Sequence, residues 1–252
     1  MSQIILITGA SSGFGKAIAE KFAAAGWHCI ITGRRTDRLQ ALARSLTDRY
    51  GVQVLPISFD VQDRNAVFTN LSALPEAWQS IDVLVNNAGL ALGRDSFENA
   101  DIDDWETMLD TNVKGVMYVT RAILPYMIAR KKGHVINMGS VAAKDVYKSG
   151  NGYNASKFAL DALSKSMRID LLPHRIKVTA IHPGAADTEF STVRFKGDTT
   201  KASQVYEGFT PLYANDIADV AYYCATLPEN VCINDLVVTC LAQADSNHFF
   251  KA

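Results

Sequence analysis

Seven short apolar, β-branched runs recur along this chain, each separated from the next by a segment of helical character, and that alternation leaves few folds open. The runs are IILIT at 4–8, CIIT at 29–32, VQVLPIS at 52–58, IDVLVN at 81–86, HVINM at 134–138, IKVTAI at 176–181 and LVVTC at 236–240. Between them the pattern predicts helices over Gly15–Ala25, Asp37–Tyr50, Arg64–Leu74, Trp105–Lys131, Tyr153–Leu172 and Asp216–Leu227. The fifth keeps Ala155, Phe158, Ala159, Ala162, Leu163, Ile169 and Leu172 on one stripe, as an amphipathic helix does. Continuous apolar strands are buried on both faces, as in a parallel sheet covered by helices. Right-handed crossovers then give an α/β, Rossmann-like doubly wound parallel sheet of about seven strands with helices on both faces. The long unpatterned segments 139–152 and 183–213 follow strands, and ligands in such sheets bind beyond the strands' carboxyl ends.

The 252 residues carry no glycine/serine linker and no solenoid repeat, and 48% of them are hydrophobic. One domain over 1–252 is the economical reading, with a large core. A net charge of −1 offers nothing to attract nucleic acid or an acidic membrane. The N-terminus MSQIILITGA lacks a basic region, and no apolar run reaches 18 residues, so the expectation is a cytoplasmic protein without a membrane span. Cys29, Cys224, Cys232 and Cys240 form no C-x-x-C pair and read as reduced structural thiols. The five histidines show no ligand spacing, so no metal is expected.

The first strand runs into ITGASSGFGKAIA at 7–19. Glycines here let the backbone turn sharply and approach a pyrophosphate, which the following helix N-terminus favours. A strand before and a helix after raise this above a small-residue packing turn. Gly9, Ser11, Ser12, Gly13, Phe14 and Gly15 are the candidate dinucleotide-binding residues. The second strand ends in Thr32-Gly33-Arg34-Arg35, without the carboxylate that would accept from a ribose 2′-hydroxyl. Guanidinium groups pair instead with a 2′-phosphate. Arg34 and Arg35 therefore predict NADP(H) rather than NAD(H).

In GYNASKFAL at 152–160, Tyr153 and Lys157 stand four apart and share one helix face. A free phenol titrates near ~10, and a cation within ~4–6 Å lowers an acid's pKa by ~1–3 units. The pair is thus a candidate acid/base, although Y-x-x-x-K alone fits an ordinary solvated face equally well.

Together these features resemble the short-chain dehydrogenase/reductases. The parts occur in that family's order from Ile4 to about Leu227: TGASSGFG at 8–15, DV at 60–61, NNAG at 86–89, Asn112, Ser140, YNASK at 153–157 and PGAADT at 183–188. Ala186 stands where the family often has Val or Ile. The resemblance implies that Tyr153 exchanges a proton with the substrate oxygen while Ser140 hydrogen-bonds that oxygen. Lys157 would hold the nicotinamide ribose and depress the Tyr153 pKa, and Asn112 would anchor a proton-relaying water. It further implies that Asp60 and Val61 flank the adenine, that Asn87, Ala88 and Gly89 line the ribose, and that Pro183, Gly184 and Thr188 hold the nicotinamide end.

Within the family, LVNNAGLALG, DWETMLDTN and EFSTVRFKGD resemble the NADP-dependent 3-hydroxy acid dehydrogenases and the sulfoacetaldehyde reductases. Their substrates are short anions that need a cation in the pocket. Arg194 is the first choice for that clamp, because its planar fork suits either oxyanion. Tyr147 and Lys148 are further candidates, and Lys144 and Lys196 also offer charge. Two lysines in AAKDVYKSGNG tip the expectation toward sulfoacetaldehyde over a 3-hydroxy acid or malonic semialdehyde. A lid over about 189–213 and a homotetramer follow from the resemblance. Phe249 and Phe250, in a C-terminal tail over about 241–252, are expected to pack, with a neighbouring subunit as the proposed partner. The rival of another class is a non-catalytic NADP(H)-sensing module, against which the presence of Asn112, Ser140, Tyr153 and Lys157 together argues. A steroid or polyol reductase would need a more apolar lid than STVRFKGDTTKAS.

Overall fold

The computed structural model describes residues 3–252. Seven parallel strands form its sheet: β1 (Ile4–Ile7), β2 (His28–Gly33), β3 (Val54–Ser58), β4 (Ile81–Asn86), β5 (Gly133–Met138), β6 (Ile176–Pro183) and β9 (Asp235–Val238). Their spatial order is β3-β2-β1-β4-β5-β6-β9. The order reverses direction between β1 and β4, where a crevice opens at the carboxyl ends.

Burial on both faces explains why the strands read as apolar runs. In β1, Ile5 and Ile7 enter the core under α1 (Gly13–Ala24), α2 (Thr36–Tyr50) and α9 (Ala214–Thr226). Ile4 and Leu6 enter the opposite core, under α3 (Arg64–Leu71) and α5 (Val116–Arg130). All four residues are buried.

One expected helix is divided. Instead of a single run over 105–131, α4 (Ile102–Leu109) leads into a π turn at Asp110–Gly115 and then α5. The Asp101 carboxylate caps α4 by accepting from the Asp103 N–H at 3.0 Å, so the helix begins before Trp105. α6 (Asn151–Leu171) follows the expected span, but its burial does not follow the apolar stripe. Tyr153, Ser156, Lys157, Leu160 and Ser164 are buried, whereas Ala155, Phe158, Ala162, Ile169 and Leu172 are exposed.

The 183–213 segment holds α7 (Glu189–Arg194) and α8 (Thr199–Gln204). Its two ends are tied by a short parallel ladder, β7 (Ala186–Asp187) on β8 (Leu212–Tyr213). The tail folds back on its own chain. Gln243 bridges Phe249, the Phe249 ring lies 5.2 Å from Phe209, and the Ala252 N–H donates to the Gly208 carbonyl at 3.0 Å. Phe249 thus packs at home, while Phe250 stays exposed. All four cysteines are free. Among the described residues no helix is long and apolar enough to cross a membrane.

Candidate active site

A cavity of about 890 Å3 opens at the reversal point and is walled by the 183–213 segment. Every cofactor candidate except Gly15 lines it, as do Ser140, Tyr147, Lys148 and Arg194. Gly9 (φ 67°) and Gly13 (φ 52°) occupy the left-handed region, which side chains other than hydrogen strain. Gly15 works from behind: a Cβ there would lie 2.5 Å from Asn87 Nδ2, so its absence lets α1 close on the sheet. Asn87 in turn donates to the Thr8 carbonyl at 2.8 Å, and the Asn87 and Ala88 N–H groups donate to Thr8 Oγ1. The NNAG segment therefore fastens β4 to the glycine turn. The first turn of α1 holds no acidic side chain, and Ser12 makes no side-chain capping bond, leaving helix N–H groups for an anion.

At the other end of the crevice, Arg35 donates to Ser11 Oγ (3.0 Å) and Ser12 Oγ (2.6 Å). It also pairs with Glu189 at 2.8 Å, which Arg38 reaches at 2.7 Å. Arg34 faces Asp60 at 3.4 Å. A left-handed glycine turn, a free helix N-terminus and clustered guanidinium groups fit a dinucleotide with an additional phosphate on its adenosine half. Glu189, not among the candidate residues, ties the start of α7 to this arginine cluster, and the arginines hold its carboxyl below the usual range.

Around the presumptive reacting end, Tyr153 is buried, its ring 5.7 Å from Lys157 Nζ and 5.6 Å from the Arg194 guanidinium carbon. Burial pushes the phenol pKa up, with a smaller upward push from Tyr147, while a Ser140 hydrogen bond and the Arg194 charge pull it down. The Arg194 guanidinium thus stands beside Lys157 as a second cation facing the phenol ring. Lys157 spends its proximity on the Met138 carbonyl, to which Nζ donates at 2.9 Å, and burial brings its own pKa down to about 8.

Asn112 does not line the cavity. It sits in the π turn and is wholly buried. Its Nδ2 donates to the Leu90 carbonyl (2.8 Å) and Ser156 Oγ (3.0 Å), and its Oδ1 accepts from the Leu90 N–H (2.9 Å). Both side-chain N–H groups are therefore engaged in joining the β4 loop to α6. π turns are frequent at functional sites, and this one places Asn112 between the β4 loop and α6.

Arg194 Nη2 donates to Tyr147 Oη at 2.9 Å, so two of the substrate candidates are joined, and Lys148 lines the same cavity. Arg94, unmarked by any motif, lines the same wall with its guanidinium carbon 5.8 Å from the Tyr147 ring. The other two lysines depart from expectation. Lys196 pairs with Asp104 at 2.9 Å. Lys144 turns behind the site, to Asp161 at 3.0 Å and Asp235 at 2.8 Å. His182 joins that group, and the ligand atoms of Asp161, His182 and Asp235 lie within 4.8 Å of one another, a grouping that sequence spacing did not expose. The cation set among them is the Lys144 ammonium.

The sequence pattern of the short chain dehydrogenases matches residues 3–198, and the chain belongs to that family of oxidoreductases. It is 47% identical over 242 residues to the "NADP-dependent 3-hydroxy acid dehydrogenase YdfG" of Salmonella typhi, covering 96% of each chain. It is 45% identical over 245 residues to "Sulfoacetaldehyde reductase 2" of Chromohalobacter salexigens, covering 97% of this chain and 96% of that one. The structure described as the closed form of serine dehydrogenase complexed with NADP+ superposes with a TM-score of 0.92 at 42% identity, over 99% of this chain and 100% of the other.

Proposed function

We propose that the protein is an NADP(H)-dependent oxidoreductase that reduces a short anionic aldehyde to its alcohol, with sulfoacetaldehyde to isethionate as the first reading. The observation that carries this is the position of Arg194, bonded to Tyr147 at 2.9 Å and 5.6 Å from the Tyr153 ring. An anion held by Arg194 has its neighbouring carbonyl within reach of the Tyr153 phenol. Arg34, Arg35, the glycine turn and the α1 N-terminus hold the cofactor, and the NADP named in several relatives supports that choice.

Bound NADPH supplies a hydride to the carbonyl carbon. Tyr153 donates the proton to the carbonyl oxygen, and Ser140 hydrogen-bonds that oxygen as its charge develops. Lys157 holds the nicotinamide ribose, and its ammonium keeps the buried end of the site positive. The π turn at Asn112 anchors the relay that returns a proton to Tyr153. The 189–213 segment serves as the lid, with Arg194 on its inner side.

The charge argument for a sulfonate loses Lys144 and gains Arg94, so the anion end still meets Arg94, Arg194 and Lys148. A second reading, a 3-hydroxy acid such as serine or 3-hydroxypropionate with malonic semialdehyde as its carbonyl partner, is supported by the relative named as an NADP-dependent 3-hydroxy acid dehydrogenase, since the Arg194 fork suits either oxyanion. Initial rates of NADPH oxidation with sulfoacetaldehyde and malonic semialdehyde at matched concentration separate the two. Faster turnover of sulfoacetaldehyde supports the first reading, faster turnover of the semialdehyde the second, and no turnover of either removes the anion clamp. The exposed stripe of α6 supports a homotetramer built on helix pairing, and a cytoplasmic setting suits four free thiols.

A further inference from the structure

Behind Ser140 lies a charged group, buried at His182 and Asp161 and open to solvent at Asp235, that the proposed chemistry does not use. His182 follows Ile181 on β6 and is wholly buried. A Cβ on Gly139 would collide with its ring, so the imidazole lies flush against the backbone leading into Ser140. Its Nδ1 is 3.1 Å from the Ser140 carbonyl oxygen and 3.4 Å from the Ser140 nitrogen. It therefore either donates to the carbonyl or accepts from the N–H, according to its tautomer. On the far side, Nε2 is buried without a hydrogen-bond partner. It faces Asp235 at 3.4 Å and Asp161 at 3.6 Å.

Two carboxylates facing an imidazole ordinarily draw a proton onto it. Here the Lys144 ammonium is set between them, 3.0 Å from Asp161 and 2.8 Å from Asp235. Lys165 takes the second oxygen of Asp161 at 2.7 Å. The charged groups facing the ring are thus Asp161 with Lys165 from α6, Asp235 from β9 and Lys144 from the loop after β5. The carboxylates are already paired, so a further positive charge gains little from them and must still be desolvated.

We propose that Lys144 and His182 form a positioning unit for Ser140, in which the Lys144 ammonium occupies the acidic pair and keeps the imidazole neutral, and the neutral ring fixes the backbone that presents the serine hydroxyl. Burial and the Lys144 charge, which hold the His182 pKa below its ordinary value, act in the same direction. An imidazolium would be confined to donating from Nδ1 to the Ser140 carbonyl and would bring a buried charge against the Ser140 backbone. This inference rests on the reading of Ser140 as a catalytic residue, whereas its first test does not.

That test is the titration of the histidine ring signals of the intact wild-type protein by NMR between pH 5.5 and 8.5, with His182 assigned through His182→Gln. A His182 signal that stays neutral throughout is expected, and a ring that titrates near the ordinary ~6.5 overturns the proposal. The second test is the pH profile of kcat in Lys144→Met and Lys144→Arg. Lys144→Met should acquire an ionisation absent from the wild type and lose about 5-fold or more in kcat on its acidic side, a change of about 1 kcal/mol. KM for NADPH should stay within about twofold, a change under about 0.5 kcal/mol. Lys144→Arg should restore the wild-type profile, and adding His182→Gln to Lys144→Met should abolish the new ionisation. A Lys144→Met profile that parallels the wild type, or a new ionisation that survives His182→Gln, contradicts it. Ser140→Ala keeps the two readings apart: full turnover in that variant removes the role of Ser140 and leaves the His182 titration to be judged alone.

Discussion

Tyr153 shows how one group's chemistry depends on residues far away in sequence. Its spacing from Lys157 was legible, because residues four apart share a helix face. The second cation beside its ring was not, because Arg194 arrives from another element 41 residues on, as the numbering in the sequence shows. Removing Arg194 should therefore act twice. Arg194→Ala should raise KM for an anionic substrate ~10–100-fold, the loss of a charge-assisted hydrogen bond. It should also move the Tyr153-linked limb of the kcat pH profile upward, since the phenol loses a neighbouring positive charge while its burial remains. Steady-state kinetics across pH measure both, and an unchanged KM for the anion would remove Arg194 from the clamp. Tyr153→Phe should lower kcat by ~10²–10⁴ or more, the contribution of general acid catalysis. NADPH binding, followed by cofactor fluorescence, should survive. Arg35→Ala should raise KM for NADPH ~10–100-fold through the lost charge-assisted bond while changing that for NADH little. Arg94 gave no sequence signal, and Glu189, though it opens EFSTVRFKGD, was not singled out, because only the folded loops place either side chain.

The elements followed their sequence patterns where backbone and side-chain periods agreed. The seven strands fell within a few residues of the apolar runs, because β-branched residues on a doubly buried strand leave little choice. The 102–130 region differed because its side-chain period continues through the π turn at 110–115, whereas the turn is a matter of backbone bonding. Asn112 is the hinge of that difference. Asn112→Ala strips three buried hydrogen bonds and leaves the Leu90 carbonyl and N–H and Ser156 Oγ without it. The expected cost is about 2–4 kcal/mol, from unsatisfied buried groups, together with a fall in kcat because α6 carries Tyr153 and Lys157. Urea unfolding of the variant beside wild type checks the first part, and a change under about 0.5 kcal/mol would contradict it. The α6 stripe misled for another reason: periodicity reports an apolar face, not what covers it. The buried face carries the polar site residues, and the apolar one is left at the surface.

Across the molecule, two buried histidines tie stability to pH. His134 lies in β5 with Nε2 2.7 Å from Thr179 Oγ1, and burial brings its pKa down to about 3. The unfolded chain binds that proton at ~6.5. Below this pH the unfolded state therefore holds more protons, and stability is lost as pH falls from about 6.5 toward 3. From pH 7 to 5 one such histidine costs about 2 kcal/mol by linkage, and His182 acts in the same direction. Urea midpoints at the two pH values should differ accordingly, and His134→Gln should flatten the difference; equal midpoints in the wild type would contradict the burial of both rings. At this level the sheet and its binding edge were readable from the strand pattern and the order of the motifs. The tail was not, since its partners Phe209 and Gly208 lie in the 189–213 segment and its contacts are set by folding alone. The same fold that turns Lys144 away from the cavity brings Arg94 and Arg194 to the Tyr147 ring in its lining, and the proposed substrate recognition stands on that cationic wall. Its most direct test is the ratio of kcat/KM for sulfoacetaldehyde to that for neutral propanal with NADPH, using Tyr153→Phe as blank. The account predicts a ratio above ~10, the contribution of one charge-assisted contact; equal values would mean that the cationic wall does not recognise the substrate.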